Sequence, residues 1–225
     1  MNIILFDSEV RGELLPLTYL RPVCEIRIGI LTIREKWERR MGGSVSYITQ
    51  DYLAGKYPID YSSENYLING SVLPSDQLIQ LLRQMEFGQA YLKNDELIAA
   101  KLDGDQMERL VHDEDFGELR GSDLMDTQFM KINHLWDIFV LNGQALQDDF
   151  ELVTRGRTSQ SLSDTNRVLG AENVFVEAGA SVEFAIINAT TGPVYIGANA
   201  LIMEGCMIRG GLSVGEDAVM KMGAK

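Results

Sequence analysis

Among the residues able to do chemistry, the arginines stand out first. Arg11, Arg21 and Arg27 fall close together in ILFDSEVRGELLPLTYLRPVCEIRIGI (4–30), and a guanidinium is a planar, two-pronged donor for phosphate. The plainer alternative is that they are solvated surface side chains capping the next helix. The other reactive types are arranged for less. His112 and His134 lie far apart with no Ser or Cys elbow nearby, which leaves a hydrolytic triad little support. Cys24 and Cys206 are isolated and in unlike contexts, as in a cytosolic protein with two reduced thiols. No HExxH, CxxC pair, Walker loop or intact GxGxxG occurs. The formal net charge of -13 argues against nucleic-acid binding, so an anionic ligand must meet a local basic pocket.

The elements that must position those arginines can be read from periodicity. NIILF (2–6) is a compact apolar run, the look of a buried first strand, and it leads into the polar DSEVRGE. From Ile30 the set Ile30, Ile33, Trp37 and Met41 follows helical spacing, and Gly42-Gly43 supplies a stop. SVSYIT (44–49) and NYLINGSV (65–72) read as strands. PSDQLIQLLRQME (74–86) opens on Pro74, carries acid in its first turn and puts Leu78, Leu81, Leu82 and Met85 on one helical face. This order favours an α/β sheet. QAYLKNDELIAAKL (89–102) splits around Asn94-Asp95 as a hairpin does, the acidic stretch 103–135 is weakly periodic, and 134–152 predicts one helix or two short ones. The hydroxyl-rich TRGRTSQSLSDTN (154–166) predicts a linker or an extended crossing segment.

A second pattern starts at 168. Ile196, Ile202, Ile208, Val214 and Met220 recur every six residues, and Ala200, Cys206, Leu212, Ala218 and Ala224 follow four residues after each. Val176 and Val182 share one phase, with Ala180 and Ile186 at the fifth position, before a two-residue slip around NATTGP (188–193). Six residues per face, with a branched apolar side chain inward and a small one near the corner, is the signature of a parallel β-helix. Three faces make a coil, so the segment predicts roughly three coils. The chain is therefore expected to contain an α/β domain (1–153), a linker (154–167) and β-helix coils (168–225). MKMGAK offers no polar cap, which predicts further coils beyond Lys225 or a subunit covering the open end.

Composition is that of a globular chain, 45% apolar and 24% charged. The start MNIILFDSEV lacks a basic n-region, and no stretch approaches the ~20 apolar residues of a membrane span, so a soluble, cytoplasmic protein is expected.

ILFDSEVRGELLPLTYLRPVCEIRIGILTIREKWE (4–38), together with the hexapeptide pattern of 194–225, resembles the divergent, alternative bacterial form of the bifunctional sugar-1-phosphate uridylyltransferase/acetyltransferases. The resemblance covers essentially the whole chain. It implies an α/β nucleotidyltransferase fold, with a Rossmann-like sheet and helices, followed by the first coils of a left-handed parallel β-helix. The activity it implies is nucleotidyl transfer from UTP to N-acetylglucosamine-1-phosphate, yielding UDP-N-acetylglucosamine and pyrophosphate. LLPLT (14–18) keeps one family element, and Arg21-Pro22 stands where the family has Lys-Pro. DSEVRG retains only Arg11 and Gly12 of the glycine-rich loop and introduces Asp7 and Glu9, carboxylates that repel a triphosphate unless a cation intervenes.

The resemblance therefore implies Arg11 and Arg21 as catalytic, Arg27, Lys36, Asn69 and Gly70 as substrate-binding, and Mg²⁺ held by Asp7, with Asp76 and Asp137 as further metal carboxylates. Asp149 is an alternative to Asp137, and Ser71 replaces the metal-holding Asp of the family's strand-end NGD. Mid-helix Lys36 reads equally as a solvated face, and Asn69-Gly70 as a plain turn. A homotrimer through the β-helix is implied for the full-length protein. Acetyl-CoA belongs to later coils, since no His follows His134. Two other readings stay open: a degenerate domain that senses sugar nucleotides, and glucose-1-phosphate as the sugar substrate.

Overall fold

The computed structural model describes residues 2–113 and 119–225. They divide into two compact units, one of residues 1–27 and 31–138, the other of residues 28–30 and 139–225.

The first unit is built on a six-stranded sheet. Its elements run β1 (Asn2–Phe6), α1 (Val10–Glu13), α2 (Ile33–Met41), β2 (Ser44–Ile48), α3 (Asp51–Ala54), β3 (Glu64–Asn69), α4 (Asp76–Arg83), β4 (Gln89–Lys93), β5 (Glu96–Asp103), α5 (Gly104–Asp113) and β6 (Arg120–Asp123). The strand order is β2-β1-β3-β5-β4-β6, with β5 antiparallel to both its neighbours and the other pairings parallel. An apolar run without alternation marks a strand covered on both faces, and Asn2 to Leu5 of β1 are all buried. One face packs Ile4, Leu67, Ala100 and Leu102 against Met107 of α5. Asn94 and Asp95 take φ values of 52° and 61°, the left-handed pair that a two-residue hairpin turn requires.

Helix α2 starts at Ile33, three residues later than the apolar spacing suggests. Thr32 and Glu35 close a capping box, in which Glu35 N–H donates to the Thr32 hydroxyl and Glu35 Oε2 accepts from Thr32 N–H at 2.7 Å. Ile30 therefore lies outside the helix. Trp37 is fully buried and donates Nε1–H to the carbonyl of Val72 at 2.9 Å, anchoring α2 to the chain that leaves β3.

The weakly periodic stretch 103–135 holds α5 and β6, and 134–152 forms part of one helix, α6 (Leu135–Thr154). This helix begins in the first unit and ends in the second. In the second unit Asp149 is buried and accepts from Ile30 N–H at 2.8 Å.

The rest of the second unit is three coils: β7 (Arg167–Leu169), β8 (Val174–Val176) and β9 (Ser181–Val182); β10 (Ile186–Asn188), β11 (Val194–Ile196) and β12 (Leu201–Ile202); β13 (Met207–Arg209), β14 (Leu212–Val214) and β15 (Val219–Met220). They stack as three parallel three-stranded sheets, β13-β10-β7, β14-β11-β8 and β15-β12-β9, the arrangement of β-helix coils. Their core is branched and small: Val176, Val182, Ile187, Ile196, Ile202 and Ile208 with Ala180, Ala185, Ala200 and Cys206.

The phase slip has two parts. Ile187 is buried while Ile186 is 51% exposed, so the inward position comes five residues after Val182, and Ala185 rather than Ile186 fills the small corner position. Phe184 at φ 51° tightens that corner by one residue, and the loop 189–193 then adds three before Ile196.

Residues 157–166 are tied along the first coil by side chains that replace a missing backbone neighbour. Ser159 Oγ accepts from Val176 N–H, and Gln160 bonds the Ala180 carbonyl and the Gly179 N–H. Asn166 donates to the Val182 carbonyl at 2.8 Å and accepts from Ala185 N–H at 2.9 Å. Leu162 packs on the coil core. Asn166→Ala leaves two coil backbone groups unsatisfied, so it is expected to lower stability by about 1–3 kcal/mol, read as a fall in the urea midpoint.

Candidate functional site

Strand β1 delivers Asp7 to the C-terminal edge of the sheet. The Asp7 N–H donates to the Ile48 carbonyl at 2.9 Å, and the side chain sits at the centre of the loop that follows. Its Oδ1 accepts from Val23 N–H at 2.8 Å, while Oδ2 accepts from Thr49 Oγ1–H at 2.6 Å and Arg11 Nε–H at 3.2 Å. Burial pushes the carboxyl above its usual range, and the bonds from Thr49, Val23 and Arg11 pull the other way without cancelling it. Both oxygens are thus engaged, and the side chain is 3% exposed.

Arg11, in the single turn α1, is equally constrained. Beside the bond to Asp7, its Nη2 donates to the Thr18 carbonyl and, at 2.8 Å, to the Tyr52 hydroxyl. Thr18 returns a bond from Oγ1 to the Arg11 carbonyl at 2.9 Å. A guanidinium has five N–H bonds. Three are used here, and the remaining two are both on Nη1. In this conformation Arg11 offers a phosphate one nitrogen, and the two-pronged fork expected of it is occupied by the loop itself.

Arg21 is exposed and makes no hydrogen bond or ion pair among the described residues. Arg27 is exposed and lies 3.7 Å from Glu35. Lys36, expected at the site, is buried beside Ile33 and Trp37 because helical spacing turns it to the packed side of α2. The three candidate metal carboxylates are separately employed. Asp7 braces the loop, Asp76 is an exposed partner of Arg40 at 2.9 Å, and Asp137 caps α6. Among the described residues no three His, Cys, Asp or Glu side chains gather as a metal site, so Mg²⁺ here would take most of its oxygen ligands from the triphosphate and water.

Asn69 and Gly70 do lie at the sheet edge beside Asp7. Gly70 N–H donates to the Phe6 carbonyl at 2.8 Å, and a Cβ there would stand 3.1 Å from that oxygen, which explains the small residue. Asn69 is fully buried, accepts from Ser71 Oγ–H and donates to Glu96 Oε1 at 2.9 Å. Lys131 donates to Glu96 Oε2 at 2.5 Å and to Asn133 Oδ1 at 2.6 Å. A polar chain Ser71–Asn69–Glu96–Lys131–Asn133 thus runs along the ends of β3 and β5.

Sequence reasoning missed Thr49, Tyr52, Glu96 and Lys131. The one available signal was position, since Thr49 is the last residue of the predicted strand 44–49 and in the structure directly follows β2. Beside Asp7 opens a cavity of about 610 Å³, walled by Phe6, Ile48, Leu67, Leu97, Tyr57 and Leu110, with Thr49 and Asp51 among its polar groups. Its size and largely apolar lining suit a small organic ligand.

An arginine-bearing loop at the C-terminal end of the first parallel strand, beside such a cavity, defines an α/β domain suited to an anionic small molecule. Residues 3–158 match the family model described as sugar nucleotidyl transferase, and the chain belongs to that family. It is therefore a nucleotidyltransferase enzyme acting in sugar nucleotidyl transfer. No curated protein matches the chain. No helix among the described residues is long and apolar enough to cross a membrane.

Asp137 accepts backbone N–H bonds from Asn133 at 2.8 Å and His134 at 2.9 Å. Burial raises its carboxyl, but these bonds and nearby His134 outweigh burial and leave it below the usual range. With the folded value depressed, the stabilisation is complete at neutral pH and is lost as pH falls from about 4 through that lowered value. Asp137→Asn keeps an acceptor oxygen but loses the charge at the helix start, so it should cost roughly 0.3–1 kcal/mol at neutral pH, and urea unfolding should find the difference shrinking below about pH 4.

Proposed function

We propose that this chain transfers a uridylyl group from UTP to N-acetylglucosamine-1-phosphate. Family membership supports sugar nucleotidyl transfer. The choice of base and sugar rests on the resemblance of residues 4–38 to the alternative bacterial uridylyltransferase/acetyltransferases. The observation that carries the reading is the loop bearing Arg11 and Arg21 beside a cavity of about 610 Å³, which gives triphosphate and nucleoside adjoining places.

A phosphate oxygen of the sugar-1-phosphate attacks the α-phosphorus. The new P–O bond forms as the bond from α-phosphorus to the bridging oxygen breaks, and pyrophosphate leaves with that electron pair. A phosphate monoester, with its second pKa near 6, is already largely dianionic at neutral pH, so the nucleophile needs no general base. That agrees with a loop that contains no histidine. Negative charge accumulates on the transferring group and leaving oxygen. The Nη1 of Arg11 and the guanidinium of Arg21 are the groups assigned to it. Asp7, Asp76 and Asp137, the carboxylates expected to hold Mg²⁺, are each engaged in other bonds, and the steps here are those of the chain's own side chains. For the coils, Ile186 and Met207 pair in register on the outside of one sheet and are 51% and 50% exposed, which supports self-association of this unit.

A second reading is a domain that binds sugar nucleotides without turnover. It is favoured by Ser71 at a position where the family uses Asp and by the engaged fork of Arg11.

Pyrophosphate release separates the two. The chain is offered each of the four nucleoside triphosphates with N-acetylglucosamine-1-phosphate, glucosamine-1-phosphate or glucose-1-phosphate, in the presence of Mg²⁺. Release is expected only with UTP and N-acetylglucosamine-1-phosphate, and Arg21→Ala should lower turnover at least ~10-fold with the fold unchanged by circular dichroism. Silence from a folded protein that still binds UDP-N-acetylglucosamine selects the second reading.

A further inference from the structure

The loop after β1 lacks the glycines that let a backbone wrap a phosphate, yet its partly buried cation Arg11 is held from several sides. The turn after β2 contributes one hold directly and one through Asp7. Thr49 donates to Asp7 at 2.6 Å, and Tyr52, three residues later on α3, engages Arg11. The Tyr52 hydroxyl donates to the Tyr19 carbonyl at 2.9 Å, so its lone pairs are left to accept from Arg11 Nη2 at 2.8 Å. The Arg11 guanidinium carbon also sits 5.8 Å from the centre of the Tyr52 ring, within cation–π range.

Resting on the nucleotidyl-transfer reading, we propose that Tyr52 is a positioning residue for Arg11. It takes up the second Nη2 proton, stops the guanidinium from swinging, and leaves Nη1 as the donor presented to the triphosphate. The hydroxyl supplies the orientation and the ring supplies the attraction. In a loop without a backbone cradle, this side-chain brace does the ordering that glycine-rich loops obtain from consecutive N–H groups.

Two substitutions separate the hydroxyl from the ring. Tyr52→Phe keeps the ring and is expected to lower kcat for pyrophosphate release about tenfold with KM for N-acetylglucosamine-1-phosphate unchanged, and Tyr52→Ala to lower it further. In an Arg11→Ala background Tyr52→Phe should have no further effect, because its action passes through Arg11. Independent, multiplying effects in that cycle would mean that Tyr52 meets the substrate itself, and a Tyr52→Phe enzyme with the wild-type kcat would equally overturn the proposal.

A measurement without substrate decides the matter even if no triphosphate is turned over. In ¹⁵N NMR spectra the Arg11 Nη protons, assigned by their loss in Arg11→Ala, should be resolved and slow to rotate in the wild type and averaged in Tyr52→Phe. Equal restriction in both proteins sinks the proposal, whereas absent turnover alongside the expected NMR change sinks only the nucleotidyl-transfer reading.

Discussion

The Asp7 carboxylate is the point on which the first unit's site depends. Its two oxygens join the end of β1 to Thr49 after β2, to Val23 beyond the long loop, and to Arg11 within that loop. One buried acid fixes the loop residues Arg11 and Val23 to the already paired ends of β1 and β2. Burying a carboxylate is unfavourable unless its charge is matched and its lone pairs are filled, and Arg11, Thr49 and Val23 offset that cost in part, since burial still holds the carboxyl above its usual range.

That arrangement explains how this loop can carry an acid beside its arginine. A bare Asp7 would repel a triphosphate. Bound to the Arg11 guanidinium and two other donors, it instead acts as an internal counter-ion that holds a cation in place. The consequence is a narrower donor: Arg11 has one nitrogen unengaged where a free arginine has a fork, while Arg21 stands exposed at the loop's far end. The same logic recurs at the ends of β3 and β5, where Glu96 sits between Asn69 and Lys131 so that no member of the polar chain is stranded.

In the second unit the governing constraint is backbone satisfaction. A stack of parallel coils exposes unpaired N–H and C=O groups at its first rung, and residues 157–166 meet them with hydroxyl and amide side chains. Their polar composition, which reads as a linker, is what a strand-mimicking cap needs, because Ser159, Gln160, Thr165 and Asn166 supply bonds to backbone groups of the first coil.

Much of the architecture was determined by sequence alone, because it rests on short-range periodicity. Alternation and apolar runs located β1, β2 and β3, Asn94-Asp95 located the β4–β5 hairpin, and the six-residue repeat gave the coils, whereas β6 lies in the weakly periodic stretch where no strand was legible. Thr32 and Glu35 also carried the start of α2 in their three-residue spacing, although apolar periodicity alone placed it at Ile30. The corner at Phe184 was not legible, since a one-residue tightening depends on a left-handed backbone angle at a residue type that rarely adopts it. Nor were the partners in the site. Thr49 meets Asp7 across 42 residues, Tyr52 meets Arg11 across 41 and Lys131 meets Glu96 across 35, and no local pattern encodes such pairs. The sequence determined that arginines and acids stand in one loop at a strand end; the tertiary structure decided which acid binds which arginine and with what nitrogen to spare, because only the packed sheet brings the ends of β1, β2 and β3 within hydrogen-bonding reach.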